Sequence, residues 1–149
     1  MTSSANRDLF VTMLNALGRK DFDAVEPCLA EDILFEWPFP VMEGFPVEHR
    51  GARWFREAME NSWQDFDDYA YRIEAIHDLA ADDRLIAEYS SHSRYLPTGA
   101  PYSNRYISVF DFADGRITRW REYVNPQIVA QTVGEGASWS EDRGAQRQV

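Results

Sequence analysis

The chain has 149 residues, the size of one domain, and it can bury a single hydrophobic core. Its net charge of −10 argues against nucleic acid and anionic membrane surfaces as partners, because both are themselves negatively charged. Cys28 is the only cysteine, which excludes an intrachain disulfide, and no apolar run approaches the roughly 20 residues of a membrane span. The N-terminus also lacks a signal-peptide pattern, so we expect a cytoplasmic protein.

The first elements of the chain are predicted to be two helices and a strand. Residues 6–18 carry apolar side chains at helical spacing, and Asp21 is suited to cap a short second helix that Pro27 distorts or ends. Residues 33–37 alternate apolar and polar side chains and are followed by Pro38, a pattern typical of a strand.

The segment 38–49 is predicted to be a loop, because it contains three prolines and a glycine. Its phenylalanine and methionine side chains are expected to fold back over the core. A third helix follows over about 52–64. Strands are then predicted over about 69–79, 83–96, 101–113 and 115–125.

This order of elements predicts an α+β domain. We expect a strongly curved antiparallel sheet, with the N-terminal helices packed on its concave side, and a cone-shaped cavity between them. The domain is predicted to cover residues 1–133. Residues 134–149 are rich in glycine, serine and charge, with Trp139 as the only anchor, and are expected to form a mobile tail.

The dipeptide Asp114-Gly115 between two alternating runs is the strongest hairpin signal in the sequence. Period-two alternation assigns every side chain of the hairpin to one of two faces. The face predicted to point inwards carries Asn104, Tyr106, Ser108, Phe110, Trp120, Glu122 and Val124. The outer face mixes apolar and charged side chains, which favours a symmetric homodimer through it, with arginines and acids paired across the two-fold axis: Arg105, Ile107, Val109, Asp111, Ile117, Arg119, Arg121 and Tyr123.

Glu122 is the predicted catalytic residue. Its neighbours Trp120 and Val124 would desolvate the carboxyl group and raise its pKa, which suits a general acid or base. In the alternative interpretation the register is reversed and Glu122 pairs with Arg105 or Arg119 on the outer face.

The other candidate site residues are polar groups of the hairpin and large apolar side chains. Asn104, Tyr106 and Ser108 could position polar atoms of a substrate, although Asn104 could equally satisfy backbone groups at the strand end. Trp37 and Trp120 are predicted to sandwich a ring system. Large apolar side chains could line the cavity or simply pack in the core, namely Trp37, Phe39, Phe55, Met59 and Trp63. No histidines or acids have metal-ligand spacing, so we expect neither a metal nor a cofactor.

The arrangement of these elements resembles the NTF2-like superfamily, and more narrowly its SnoaL-like and ketosteroid-isomerase-like branch. The resemblance covers about residues 6–130 and rests on Ala30-Glu31-Asp32, Arg50-Gly51, Gly115-Arg116-Ile117 and Arg121-Glu122-Tyr123-x-Asn125-Pro126. The ketosteroid isomerase pattern itself is absent. Its base, tyrosine and protonated acid would fall on Trp37, Met13 and Ser108.

The closing hairpin looks most like the phenazine-biosynthesis A/B proteins. That resemblance implies that Glu122 is a general acid and that Ser62 belongs to the pocket, whereas the position of the family's histidine holds Ala58.

We therefore predict a pocket for a hydrophobic cyclic or aromatic small molecule, with cofactor-free acid/base chemistry of the isomerase, cyclase, dehydratase or condensation type. The alternatives are a non-catalytic binding or chaperone-like module and a purely structural dimerisation domain.

Overall fold

The computed structural model describes residues 3–141 and the backbone of residues 144–146. The helices are α1 (Ser3–Gly18), α2 (Phe22–Val25), α3 (Ala52–Ser62) and α4 (Pro126–Val133). The strands are β1 (Leu29–Glu36), β2 (Glu48–Arg50), β3 (Ala70–Leu79), β4 (Arg84–Tyr95), β5 (Ala100–Ala113), β6 (Arg116–Val124), β7 (Ser138–Ser140) and β8 (Gly144–Gln146). None of the helices in this part of the chain is long and apolar enough to cross a membrane.

The α+β fold is confirmed, but the sheet is mixed rather than wholly antiparallel. Six strands pair in the order β2-β1-β6-β5-β4-β3, and β1 runs parallel to β6. Phe35 of β1 lies opposite Trp120 of β6. The prediction of a wholly antiparallel sheet was wrong for strands β1 and β6. Local patterns define the partners within a hairpin, whereas β1 and β6 come from distant parts of the chain.

Helix α1 covers the concave face of the sheet and contributes four large side chains to the core. Phe10, Met13, Leu14 and Leu17 are buried on one side of the helix, as its spacing predicts. At the end of α1 a side chain on Gly18 would clash with the carbonyl oxygen of Tyr69. This close approach lets the Tyr69 amide donate to the Gly18 carbonyl over 2.9 Å. Glycine is therefore required where α1 meets the start of β3.

The hairpin of β5 and β6 closes through the predicted turn. Asp114 and Gly115 both have positive φ angles, 52° and 74°, as a type I′ turn requires. One assignment in this hairpin was wrong. Ile117 points inwards and is fully buried, because an extra residue, Thr118, interrupts the alternation of β6 and places Ile117 and Trp120 on the same face.

Three ordered segments were not predicted. Strand β2 lies in the expected loop, and α4 follows β6, with the Asn125 side chain accepting a hydrogen bond from the Gln127 amide at its start. Packing also continues beyond the expected boundary at residue 133, since Trp139 is only 7% exposed. The expected mobility of the tail concerns in part residues 142, 143 and 147–149, which lie outside the described residues.

Candidate functional site

A cavity of about 120 Å³ lies between the concave face of the sheet and the elements that cover it. The sheet, α1, α3, α4, the segment 38–47 and the residues after α4 all contribute to its wall. Most of its lining is apolar or aromatic, as is usual for small-molecule sites. The lining residues are Leu17, Trp37, Val41, Met42, Phe45, Phe55, Met59, Ser62, Trp63, Phe66, Tyr69, Tyr71, Tyr102, Tyr106, Trp120, Glu122, Val124, Val129, Val133 and Trp139.

Glu122 is the only acidic residue in this lining, and no lysine, arginine or histidine joins it among the described residues. The register of the hairpin places it there, because Ser108 and Phe110 of β5 face Glu122 and Trp120 of β6. The alternative register would pair Glu122 with Arg119, but the Arg119 guanidinium instead contacts Glu36 and Asp111 on the outer face. A carboxyl group without a cationic partner in an apolar cavity has few structural uses.

Both carboxylate oxygens of Glu122 accept a hydrogen bond from the protein. The Tyr89 hydroxyl donates to Oε1 over 2.9 Å, and the Trp37 indole donates to Oε2 over 3.3 Å. Tyr89 in turn contacts the Ser108 hydroxyl at 2.8 Å, and the Trp120 indole donates to Ser108 over 3.3 Å. Because the Tyr89 hydroxyl donates its one proton to Glu122, the Ser108 hydroxyl must donate to Tyr89. The hydrogen bonds therefore run in one direction, from the Trp120 indole through Ser108 and Tyr89 to the Glu122 carboxylate.

These surroundings shift the pKa of Glu122 in two opposing ways. Desolvation by burial raises the pKa, and the hydrogen bonds from Tyr89 and Trp37 lower it, with a net rise from 4.5 to about 6. The group is then mostly ionised at neutral pH, yet it is a stronger base than an ordinary carboxylate. A pKa close to the working pH is what general acid/base catalysis needs.

The cavity is closed on one side by the residues after α4. The Trp139 indole donates to the Ser62 hydroxyl over 2.7 Å, and its backbone amide donates to the carbonyl of Glu43 over 2.8 Å. Gly44 has a φ of +83°, and a side chain there would clash with the Trp139 carbonyl oxygen. The segment 38–47 and the chain around Trp139 therefore form one continuous cover.

A shallower groove of about 550 Å³ lies outside this cover, against α4. Four apolar residues line both the groove and the inner cavity, namely Val41, Met42, Val129 and Val133. These side chains therefore lie between the cavity and the groove.

The structure brings eight of the predicted site residues to the cavity and leaves three outside it. Trp37, Phe55, Met59, Ser62, Trp63, Tyr106, Trp120 and Glu122 line the wall. Ser108 lies behind the wall and contacts Tyr89 and Trp120. Phe39 is 60% exposed and packs on the Tyr123 ring, because the segment 38–47 turns it away from the core.

Asn104 is buried but does not reach the cavity, and it is held among other polar groups. Its amide donates to the Tyr102 hydroxyl and to the Asn125 carbonyl, and its oxygen accepts from the Asn125 amide. The structure therefore supports the interpretation in which Asn104 satisfies backbone groups at the strand end.

The sequence interpretation missed several residues of the site. Tyr89 was not among the predicted site residues, because its contact with Glu122 joins β4 to β6, two strands that are not neighbours in the sheet. Tyr69, just before β3, and Tyr71, within it, are two residues apart, and this period-two signal was available in the sequence. Val129, Val133 and Trp139 come from segments in which no ordered element was predicted.

The matches to known proteins fit this geometry. A sequence model of the SnoaL-like domain matches residues 10–120. The chain belongs to the SnoaL-like family. The predicted NTF2-like fold is confirmed with it, since solved structures described as NTF2-like proteins share the architecture. The narrower likeness of the hairpin to the phenazine-biosynthesis A/B proteins stays a prediction.

Three relatives show how far the similarity extends. The uncharacterized protein YesE of Bacillus subtilis strain 168 is 28% identical over 125 residues, which is 84% of each chain. A solved B. subtilis structure described as a candidate isomerase has a TM-score of 0.78 and 24% identity, covering 89% of this chain and 95% of that one. A candidate polyketide cyclase from Xanthomonas campestris pv. campestris has a TM-score of 0.67 and 26% identity, covering 89% and 98%.

Proposed function

We propose that this SnoaL-like protein binds a neutral, hydrophobic ring compound in the cavity and transfers a proton on it through Glu122, without a metal or cofactor. The observation that carries the proposal is the placement of one carboxyl group, with a pKa raised to about 6, in an aromatic cavity that offers it no cationic partner. Isomerisation, cyclisation, dehydration and condensation all use such a group. The relatives described as a candidate isomerase and a candidate polyketide cyclase support this range of chemistry.

Glu122 is proposed to act first as a base. With a pKa of about 6 it is ionised at neutral pH, and Tyr89 and Trp37 hold its two oxygens by one hydrogen bond each. Each carboxylate oxygen has a second lone pair for a substrate proton. Once protonated, the same group can return the proton to another atom of the bound substrate.

The cavity favours a neutral ligand with about one ring. Its volume of about 120 Å³ is comparable to that of an engineered 150 Å³ apolar cavity which binds benzene. A carboxylate or phosphate on the ligand would meet the charge of Glu122 with no cation nearby. Substituents on the ring have the outer groove available, past Val41 and Met42.

The proposal is tested with nitrocyclopentane, a neutral single-ring carbon acid. Glu122 would remove the proton from C1 and solvent would return a deuteron, so that the C1–H signal in the proton NMR spectrum fades in D₂O. We expect the protein-dependent rate to rise with pH and to level off above a midpoint of about 6. A rate that does not change across this midpoint contradicts base catalysis by Glu122. Binding without any exchange favours the non-catalytic binding module.

We also propose that the protein forms a homodimer through the outer face of the hairpin, but without the ion pairs between the two copies that the sequence analysis expected. Three of the charged residues expected to pair across the two-fold axis pair within one chain instead: Asp111 with Arg84, and Arg119 and Arg121 with Glu36. Charge pairing therefore no longer argues for the dimer. The remaining support is the mixed apolar and charged composition of this face, on which Ile107 is 43% exposed.

A further inference from the structure

We propose that the cavity is also a binding site for small hydrophobic ammonium ions, in particular protonated cyclic tertiary amines, which pair with the Glu122 carboxylate. The proposed function concerns a neutral substrate and a proton transfer. This inference goes beyond it, because it concerns a second class of ligand and requires no reaction.

The first evidence is the charge balance of the cavity. Its lining contains one acid, Glu122, and no lysine, arginine or histidine within the described part of the chain. The other titratable groups around Glu122 are tyrosines, and burial raises the pKa of each above its ordinary value: Tyr69, Tyr71, Tyr89, Tyr102 and Tyr106. These tyrosines therefore stay neutral, and the ionised Glu122 leaves the cavity with one uncompensated negative charge.

A ligand can supply the missing positive charge. The two groups that donate to Glu122, the Tyr89 hydroxyl and the Trp37 indole, are both neutral, and each takes one carboxylate oxygen. Each oxygen keeps a second lone pair, which can accept the N–H of an ammonium ion. A buried charge is costly unless it is paired, so this contact favours binding. A protonated tertiary amine has a single N–H, so no donor of the ligand is left without a partner.

The second evidence is the aromatic wall beside the carboxylate. Trp37 lines the cavity and contacts Glu122 directly, and Trp120, two residues before Glu122 in β6, lines the cavity as well. Aromatic rings attract a cation that lies over their faces, and tryptophan does so most strongly. The C–H groups next to an ammonium nitrogen share its positive charge and are otherwise apolar. They therefore suit this wall, while the N–H meets the carboxylate.

The third evidence is the charge outside the cavity. Among the described residues, Glu43 is the one charged residue that lines the groove against α4. The whole chain has a net charge of −10, which raises the local concentration of cations and repels anions. Val41 and Met42 line both the groove and the cavity. An ammonium ion therefore finds an acid on either side of these two residues.

The experiment compares N-methylpiperidine, which is protonated near pH 8, with toluene, a neutral ring with the same number of non-hydrogen atoms. The dissociation constant of each ligand is measured by NMR titration of the full chain. We expect Glu122→Gln to weaken binding of the amine by about 10- to 100-fold, the range for a hydrogen bond to a charged group. Toluene should bind to the variant at least as tightly as to the wild type, which also shows that the variant is folded.

Two controls separate this contact from general effects of charge. Glu88→Gln removes an exposed acid of β4 beside His77 and should leave both dissociation constants unchanged. Binding of the amine to the wild type should strengthen as the pH rises through about 6, because Glu122 ionises there while the amine keeps its proton. Glu122→Gln should show no such rise.

An amine affinity that Glu122→Gln leaves unchanged overturns the inference, as does a wild-type protein that does not bind the amine. If the variant loses toluene as well, the wild-type pH profile decides, and an amine affinity that is flat across pH 6 overturns the inference. Failure of this test with a normal exchange profile for nitrocyclopentane would reject the ammonium site alone. Binding of the amine without exchange would reject the proton transfer alone.

Discussion

Replacing Glu122 by glutamine is expected to lower the rate of deuterium exchange at C1 of nitrocyclopentane by about 10²- to 10⁴-fold, the usual contribution of a positioned general base. Glutamine has nearly the same shape and can keep an acceptor oxygen for Tyr89, so packing should change little, although its NH₂ group cannot accept from the Trp37 indole. It cannot take the proton, because an amide is not a base in this pH range. The rate is measured near pH 8 by proton NMR, with buffer-catalysed exchange subtracted.

The stability of the variant relative to the wild type is also expected to rise with pH, which controls for misfolding. The pKa of Glu122 is raised from 4.5 to about 6 in the folded protein, so its stabilising contribution is full below about pH 4.5 and is lost as the pH rises through 6. This loss amounts to about 2 kcal/mol at pH 8. Urea denaturation at several pH values should therefore show the free energy of unfolding of the wild type falling by about 2 kcal/mol relative to that of Glu122→Gln between about pH 4 and pH 8.

A matched variant separates the site from general effects of charge. Glu88 lies exposed on β4 beside His77, away from the cavity, and Glu88→Gln should leave the exchange rate unchanged. Equal exchange rates for Glu122→Gln and the wild type would mean that the carboxyl group is not the base, whatever its pKa.

Replacing Phe110 by alanine is expected to destabilise the domain by about 3–5 kcal/mol, the range for buried phenylalanines. Phe110 is fully buried in β5 and joins helix α1 to the wall of the cavity. Its ring lies 4.9 Å from that of Phe10 and 5.2 Å from that of Trp120. Truncation removes both contacts and leaves a void behind Trp120. Urea denaturation measures the change in the free energy of unfolding.

Phe39 supplies the control for this prediction. It is the same residue type but is 60% exposed, so Phe39→Ala should change the free energy of unfolding by no more than about 0.5 kcal/mol. Losses of similar size in the two variants would contradict the burial that the structure assigns to them.

The parts of the site that could be predicted are those defined by a local repeat. The turn at Asp114-Gly115 fixes the hairpin, and period-two alternation then places Trp120 and Glu122 on the inner face. The same rule failed at Ile117, because one extra residue in β6 reverses the alternation and nothing in the local sequence marks it. Alternation also says nothing about which residue of another strand will meet the carboxylate, so Tyr89 was missed.

The cover of the cavity was harder to predict because it depends on contacts between distant segments. The segment 38–47 was expected to fold over the core, and Met42 and Phe45 do so, but composition alone could not show that Phe39 points outwards. Trp139 looked like an isolated aromatic residue in a polar tail. Only the contact of its backbone with Glu43 and of its indole with Ser62 shows that it completes the cavity wall.

The most direct measurement is an NMR titration of the Glu122 carboxyl carbon in protein labelled with ¹³C-glutamate, with Glu122→Gln used to assign the signal. A desolvated acid/base group predicts a midpoint near 6. A midpoint at or below the ordinary value of 4.5 would show that desolvation does not outweigh the hydrogen bonds from Tyr89 and Trp37, and would contradict the role of this group in proton transfer near neutral pH.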